Sequence, residues 1–423
     1  MAASVAAAPP LTLPERAARV MARCDALAAF TEEPGRITRP YGAPAAIGAR
    51  QSLAQWMLDA GMETRIDAVG DLCGQLNGSI PDVPALLLGS HFDSVRDAGR
   101  YDGLLGILVS IEAIDRLRLT TGRAPFPIDL LAFADEEGLR FQTTYLGSCA
   151  LAGAFDPAFL DLTDANGVTL REAMTLFGGN PAGLASMALN PGDAFAYVEV
   201  HIEQGPYLES VAAPVGVVTA ISGQTRILLS LTGEAGHAGT VAMHLRRDPL
   251  PAAAELVLAA ETLARQTRGL LATIGTIDAE PGASNVIPGR VSLSLDVRHP
   301  EDAVRAIAVE TLHARASAIA AARALDLEWR IARDHPAVPC DPALIARLGH
   351  AVAATGHPVE HLPSGAGHDA VTMSAVVPVA MLFVRCAGGI SHQPAESVTV
   401  DDVAVAIDVL DHFLASLAHE GRS

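Results

Sequence analysis

Ala85-Leu86-Leu87-Leu88-Gly89-Ser90-His91-Phe92-Asp93-Ser94-Val95, running on to Tyr101-Asp102-Gly103, is the stretch that decides the fold. Its apolar run reads as a buried strand of a parallel sheet, covered on both faces. His91 and Asp93 then fall where strand becomes loop, the edge of an α/β sheet that carries ligands. Asp102 comes just before Gly103–Leu119, whose apolar residues continue through Ile111 and Ile114 and read as a helix. An imidazole at the strand end and a carboxylate at the next helix start can meet around a divalent cation. Asp93 is placed to accept the other ring N–H of His91 and so fix its tautomer.

Working outward towards the N-terminus, the apolar spacing predicts helices over 13–30 and 45–60, the second stopped by Gly61. Two short strands follow, over 63–69 and 71–76. In the other direction, Pro127–Phe133 is a mostly apolar strand that delivers Ala134-Asp135-Glu136-Glu137-Gly138 to the same sheet edge. Short helices are expected between Ala152 and Asn190, one of them over 169–177. Ala196–Val200 is again a strand, ending in His201-Ile202-Glu203-Gln204-Gly205. Strand–helix–strand alternation of this kind predicts a doubly wound α/β domain. After Pro214 the texture changes to strands over 215–219, 226–232, 271–277 and 291–297, with helices over 249–266 and 301–322. That pattern predicts a separate α+β unit. From Trp329 the first pattern resumes, with an apolar strand over 376–384. The expected organisation is an α/β domain over 1–213 and 330–423, with an α+β domain inserted over 214–329. The hinges fall near Val211–Val215 and Leu325–Asp334.

Composition narrows the function classes. The chain of 423 residues, half of them hydrophobic, is long for one core and ordinary for a globular protein. Its 29 Lys and Arg against 48 Asp and Glu give a formal charge of −19, which argues against nucleic-acid or anionic-membrane partners. A small anionic substrate stays open, since one local arginine can hold it. Five cysteines form no CxxC pair, as expected of free thiols in a reducing compartment. No basic segment precedes the N-terminal alanines and no apolar run is long enough to span a bilayer, so the expectation is a cytoplasmic protein.

Four strand ends or following loops carry metal-type ligands: His91 with Asp102, Glu136-Glu137, His201, and Ser391-His392. Adjacent glutamates point to different places, so one can bind metal while the other faces a water. Five N/O ligands, one a carboxylate able to bridge, suit two divalent ions, and the lack of a thiolate cluster argues against a structural zinc site.

These residues sit in blocks that resemble a known family. GSHFDSVRDAGRYDG (89–103), FADEEGLRF (133–141), VEVHIEQGPYLE (198–209), TGEAGHAGT (232–240), EPGASNVIPGRVSLSLDVR (280–298), SGAGHDA (364–370) and GGISHQPAE (388–396) run in family order. They resemble the M20 metallopeptidase-like amidohydrolases, in the N-carbamoyl-L-amino-acid hydrolase and allantoate amidohydrolase branch. The resemblance implies a zinc-peptidase-like catalytic domain with an inserted lid and dimerisation domain, and a homodimer formed through that insert. It implies two divalent ions per subunit, Zn or Mn, with Co and Ni also suited to such ligands. His91 and His201 would bind one ion, Glu137 and His392 the other, and Asp102 would bridge. Glu136 would be the general base, Asp93 the residue behind His91, and His237 an oxyanion stabiliser, often reaching in from the partner subunit. Gln204 would hold the ureido group, Asn285 and Arg298 the substrate carboxylate, and His368 and Gly367 would line the site.

The implied reaction is hydrolysis of a linear ureido C–N bond, releasing ammonia and carbon dioxide. Allantoate, which would place the enzyme in purine breakdown, is the first choice and an N-carbamoyl-L-amino acid the second. The alternatives are an M20 aminopeptidase or aminoacylase, against which HIEQGP and Arg298 weigh, and a non-catalytic ligand-binding pseudoenzyme, against which the intact ligand set weighs. The chain departs from the family pattern at Gly236, where Asn or Asp is common, at Val241-Ala242, where Thr-Pro is common, and at Cys149, where Arg is common. These departures bear on the substrate and not on the metal ligands.

Overall fold

Four parallel strands carry the first of two compact units. In spatial order they are Ile128–Phe133, Ala85–His91, Ala194–Ile202 and Val379–Val384. Each is buried along most or all of its length, which is why the sequence shows near-continuous apolar runs and not alternation. Leu72–Leu76 and then Glu63–Ile66 extend one side antiparallel, and Val215–Ile221 pairs antiparallel with Val379–Val384 on the other. The computed structural model describes residues 11–420, so the N-terminal segment read as lacking a secretory signal lies largely outside the described residues.

Helix Leu104–Thr121 lies against the central strands and meets helices Leu13–Ala28 and Val400–Glu420 on its other side. Its start is set by Gly103, whose φ of +66° no side-chain-bearing residue adopts easily. A Cβ there would lie 2.4 Å from the His91 carbonyl oxygen and 2.6 Å from two of its ring carbons. The missing side chain lets the turn carrying Asp102 close onto the strand end carrying His91. Gly103→Ala is expected to cost roughly 1–3 kcal/mol, from backbone strain and the forced retreat of His91. Urea unfolding of the purified variant checks this; an unchanged midpoint would remove the argument.

The second unit is a four-stranded antiparallel sheet in the order Asp326–His335, Gly223–Thr232, Arg290–His299, Leu271–Glu280. Helices Pro249–Gln266 and Asp302–Ala322 cover one face. Period-two alternation is clean on Arg290–His299, where Val291, Leu293, Leu295 and Val297 enter the core while Ser292, Ser294, Asp296 and Arg298 point away.

The boundaries differ from those expected at 213/214 and 329/330. Contacts divide the chain into 1–219, 340–362 and 368–423 on one side, and 220–339 with 363–367 on the other. Val215–Thr219, expected as the first strand of the insert, belongs to the sheet of the first unit. The insert's fourth strand is Asp326–His335, which spans the expected hinge. Both segments have strand-like patterning, but patterning does not say which sheet a strand joins. Among the described residues no helix is long and apolar enough to cross a membrane. All five cysteines are free, and only Cys149 is not buried.

Candidate metal centre

The four parallel strands end at one edge, and each delivers ligands there. His91 is the last residue of its strand, and His201 is the next to last of the neighbouring strand. Glu136 and Glu137 follow Phe133, which is in register with His91. His392 lies in the loop after Val384, at a φ of +58°.

These side chains converge on Asp102. Its Oδ1 lies 3.1 Å from His201 Nε2 and 3.7 Å from His91 Nε2, while its Oδ2 lies 3.1 Å from His392 Nε2. His392 Nε2 is also 3.4 Å from Glu137 Oε1, and the two ring nitrogens of His91 and His201 face each other at 3.3 Å. Two groups of ligand atoms result, His91–Asp102–His201 and Asp102–Glu137–His392, each with its atoms within 4.8 Å of one another. Asp102 belongs to both, with one oxygen turned towards each.

The donor chemistry fits cations. His201 Nδ1 is 2.9 Å from the Ile202 carbonyl, which only a ring N–H can satisfy, and this turns the Nε2 lone pair of the neutral ring towards Asp102 and His91. His91 Nε2, His201 Nε2 and Asp102 Oδ1 then meet at one point, an arrangement that calls for positive charge. Proton affinities report the same demand. Burial opposes charge on His91 and His201, yet Asp102 raises both above the ordinary histidine range. The hydrogen bond to Asp102 takes His392 to about 9. Burial would raise Asp102, but His201, His392 and His91 hold it well below the usual carboxylate range.

Glu136 and Glu137 both converge on His91, and Glu137 also belongs to the group with Asp102 and His392. Burial, then Asp102, pushes Glu137 up to about 7, and it faces His392. Burial raises Glu136 well above the ordinary range, with Glu137, Asp369 and Asp93 adding to it against His91. Asp93 does more than stand behind His91. Its Oδ1 lies 3.4 Å from His91 Nδ1, without hydrogen-bond geometry, while its two oxygens accept the backbone N–H groups of Glu136 (3.0 Å) and Glu137 (3.1 Å). One carboxylate thus ties the His91 strand end to the Glu136-Glu137 turn.

Gln204, at a φ of +57°, directs its Nε2 at Asp102 (3.2 and 3.3 Å), Ser391 Oγ (3.3 Å) and His392 Nε2 (3.3 Å). His368 is buried edge-on against His201, ring centroids 4.5 Å apart, and burial with His201 nearby keeps it neutral. In the second unit, His237 and Asn285 come together: His237 pairs with Val286, and the Ala238 N–H donates to the Asn285 carbonyl at 2.9 Å. The Gly239 N–H donates to His237 Nδ1 at 3.1 Å, which leaves the ring hydrogen on Nε2. Arg298 is engaged within its own unit, its fork on Asp296 (2.8 and 3.2 Å) and Nη1 on the Gly365 carbonyl (2.6 Å). Gly367 is exposed in the short segment that joins this unit.

Glu199 and Asp369 escaped the sequence reading. Glu199 is fully buried in an apolar strand and accepts from Tyr197 Oη (3.2 Å) and the Ala370 N–H (3.1 Å); Ser148 Oγ donates to Asp369 at 2.5 Å. Glu199, His201 and His368 form a further group of converging atoms. The signal was present: period two puts Tyr197, Glu199 and His201 on one face of their strand, and a glutamate among valines needs a reason.

Oxygen and nitrogen ligands, with a carboxylate beside them to move protons, suit hydrolysis at a metal centre. Fold and site together thus define an α/β protein with a candidate metal centre of this type. The chain belongs to peptidase family M20/M25/M40, whose model matches residues 85–416. It is 41% identical over 429 residues to a probable allantoate deiminase of Oryza sativa subsp. japonica, covering 93% of this chain and 87% of that protein. It is 40% identical over 370 residues to an N-carbamoyl-L-amino acid amidohydrolase of Geobacillus stearothermophilus, covering 88% and 90%. Among solved structures, an amidase of the hydantoinase/carbamoylase family from Burkholderia multivorans superposes with a TM-score of 0.89 at 31% identity, covering 95% of this chain and 98% of that one.

Proposed function

We propose that this chain hydrolyses the linear ureido C–N bond of a small anionic substrate, allantoate first and an N-carbamoyl-L-amino acid second. The observation that carries the reading is Asp102, one carboxylate shared by two ligand groups with Glu136 beside them. Relatives at 41% and 40% identity act, by their names, on the two substrate classes.

Divalent ions, when bound, supply Lewis-acid polarisation and bring the pKa of a water towards neutrality. His91, His201 and Asp102 would hold one, and Glu137, His392 and Asp102 the other. Glu136 takes a proton from the attacking water and passes it to the departing nitrogen; its backbone is held by Asp93, so the carboxylate starts from a fixed place. Gln204 presents amide hydrogens beside Asp102 and orients the ureido group. In the insert, the outward Nε2–H of His237 suits it to hold the developing oxyanion. Arg298 and Asn285 take the substrate carboxylate, for which Arg298 exchanges its Asp296 partner. The homodimer through the insert belongs to the same reading. Overall R–NH–CO–NH2 and water give R–NH2, carbon dioxide and ammonia.

The test is ammonia release by enzyme reconstituted separately with Mn and with Zn, given allantoate and a panel of N-carbamoyl-L-amino acids. Release from either class supports the reading and ranks the two. Silence on both, with ions confirmed bound, rejects the ureido assignment. Cleavage of dipeptides or N-acyl amino acids instead would make this an aminopeptidase or aminoacylase.

A further inference from the structure

Behind the shared carboxylate stands Glu396, buried to 4% exposure and four residues beyond His392. Its Oε1 accepts the backbone N–H groups of Tyr101 (2.8 Å) and Asp102 (3.2 Å), and its Oε2 accepts Ser391 Oγ at 3.1 Å. One carboxylate therefore grips both the turn that carries Asp102 and the loop that carries His392, segments nearly 300 residues apart in the chain.

The seat is made for this side chain. A Cβ on Gly99 would lie 2.2 Å from both Glu396 Cδ and Oε1 and 2.4 Å from its Cβ, so only glycine lets the carboxylate reach the Tyr101–Asp102 amides. The Ser391 hydroxyl has a single hydrogen. Glu396 at 3.1 Å takes it in preference to Asp102 Oδ2 at 3.5 Å, and the Ser391 lone pairs are then free to accept Gln204 Nε2 at 3.3 Å. Through Ser391, Glu396 thus sets one of the acceptors that face the Gln204 amide, beside Asp102 and His392.

We infer that Glu396 is a positioning residue that sets Asp102 against His392 and so tunes ion binding at the Asp102–Glu137–His392 group, leaving the His91–His201 side to its own strand ends. The inference rests on the two-ion reading above. On the other side, the His201 ring is held by the Ile202 carbonyl at 2.9 Å and both histidines sit on strands of the sheet, while His392 sits on the loop that Glu396 itself grips through Ser391.

The experiment is calorimetric titration of the metal-stripped full chain with Mn2+, paired with the visible spectrum of the Co2+-loaded protein. Wild type is expected to bind two ions. Glu396→Ala is expected to weaken one of them by roughly 10- to 100-fold, the range for residues that orient ligands, and to alter the Co2+ bands of that ion alone. Glu396→Gln keeps an oxygen for the two amides and is expected to recover most of the loss. Gly99→Ala, which expels the side chain without deleting it, should mimic Glu396→Ala. If Glu396→Ala does not fold, the comparison of Gly99→Ala with Glu396→Gln decides. Folded variants that bind both ions within twofold of wild type, or that weaken both equally, overturn the inference. Wild type that binds fewer than two ions overturns the two-ion reading instead.

Discussion

Glu136→Gln lowers kcat by roughly 10²- to 10⁴-fold, the range for removal of a positioned general base, while the protein keeps its ions. The carboxamide has nearly the same volume and retains an oxygen, so the buried seat beside His91 and Glu137 is preserved. It cannot take up a proton. Because Asp93 holds residue 136 through its backbone N–H at 3.0 Å, the substitution leaves the turn and Glu137 in place. Steady-state ammonia release on the better ureido substrate, with metal analysis of the same preparation, is the check. Turnover within tenfold of wild type would end the assignment of Glu136 as base. Loss of ions along with turnover would make it a ligand, an outcome the grouping of His91, Glu136 and Glu137 makes worth measuring.

Asp102→Ala has the larger effect on the ions. The carboxylate is 6% exposed and meets His201 and His392 at 3.1 Å on opposite oxygens. Removing one side of such a buried charged contact costs about 3–5 kcal/mol, roughly two to four orders of magnitude in affinity. Asp102 is common to both ligand groups, so both ions should weaken together. That separates it from Glu396, whose removal should touch one. Elemental analysis after dialysis and calorimetric titration read the difference. Two ions still held at near-wild-type affinity would show that Asp102 does not bridge.

Much of this site is legible in the chain because most of the candidate ligands lie at or beyond the end of a strand. An apolar run of strand length announces a parallel strand, and the polar residues after it must appear at one edge of the sheet. His91, Glu136-Glu137 and His201 follow from that rule alone. Asp102 follows from the helix start that Gly103 marks. Which of Glu136 and Glu137 serves as ligand is not readable from their adjacency, since both carboxylates converge on His91.

Residues that act across the fold were not readable in the same way. Asp93 looked like a partner of His91 only; its grip on the Glu136 and Glu137 amides needs Ile128–Phe133 in register beside Ala85–His91. Arg298 looked like a free fork, but its neighbour two positions back, Asp296, shares its face of the strand and takes the guanidinium. Glu199 was hidden in a run of apolar residues, and Glu396 four positions past a ligand.

By itself the sequence determined the α/β class, an α+β insert and the residue types of a candidate metal centre. Periodicity and strand ends are properties of a few consecutive residues, and they survive without a partner in view. Tertiary structure alone decided that Val215–Ile221 joins the sheet of the first unit and Asp326–His335 the insert, and that Asp102 turns one oxygen to each ligand group. It also decided that Glu396 braces Asp102 from nearly 300 residues away. Each of those facts is a pairing between distant segments, and a local pattern shows that a segment has a face to bury without naming what it is buried against.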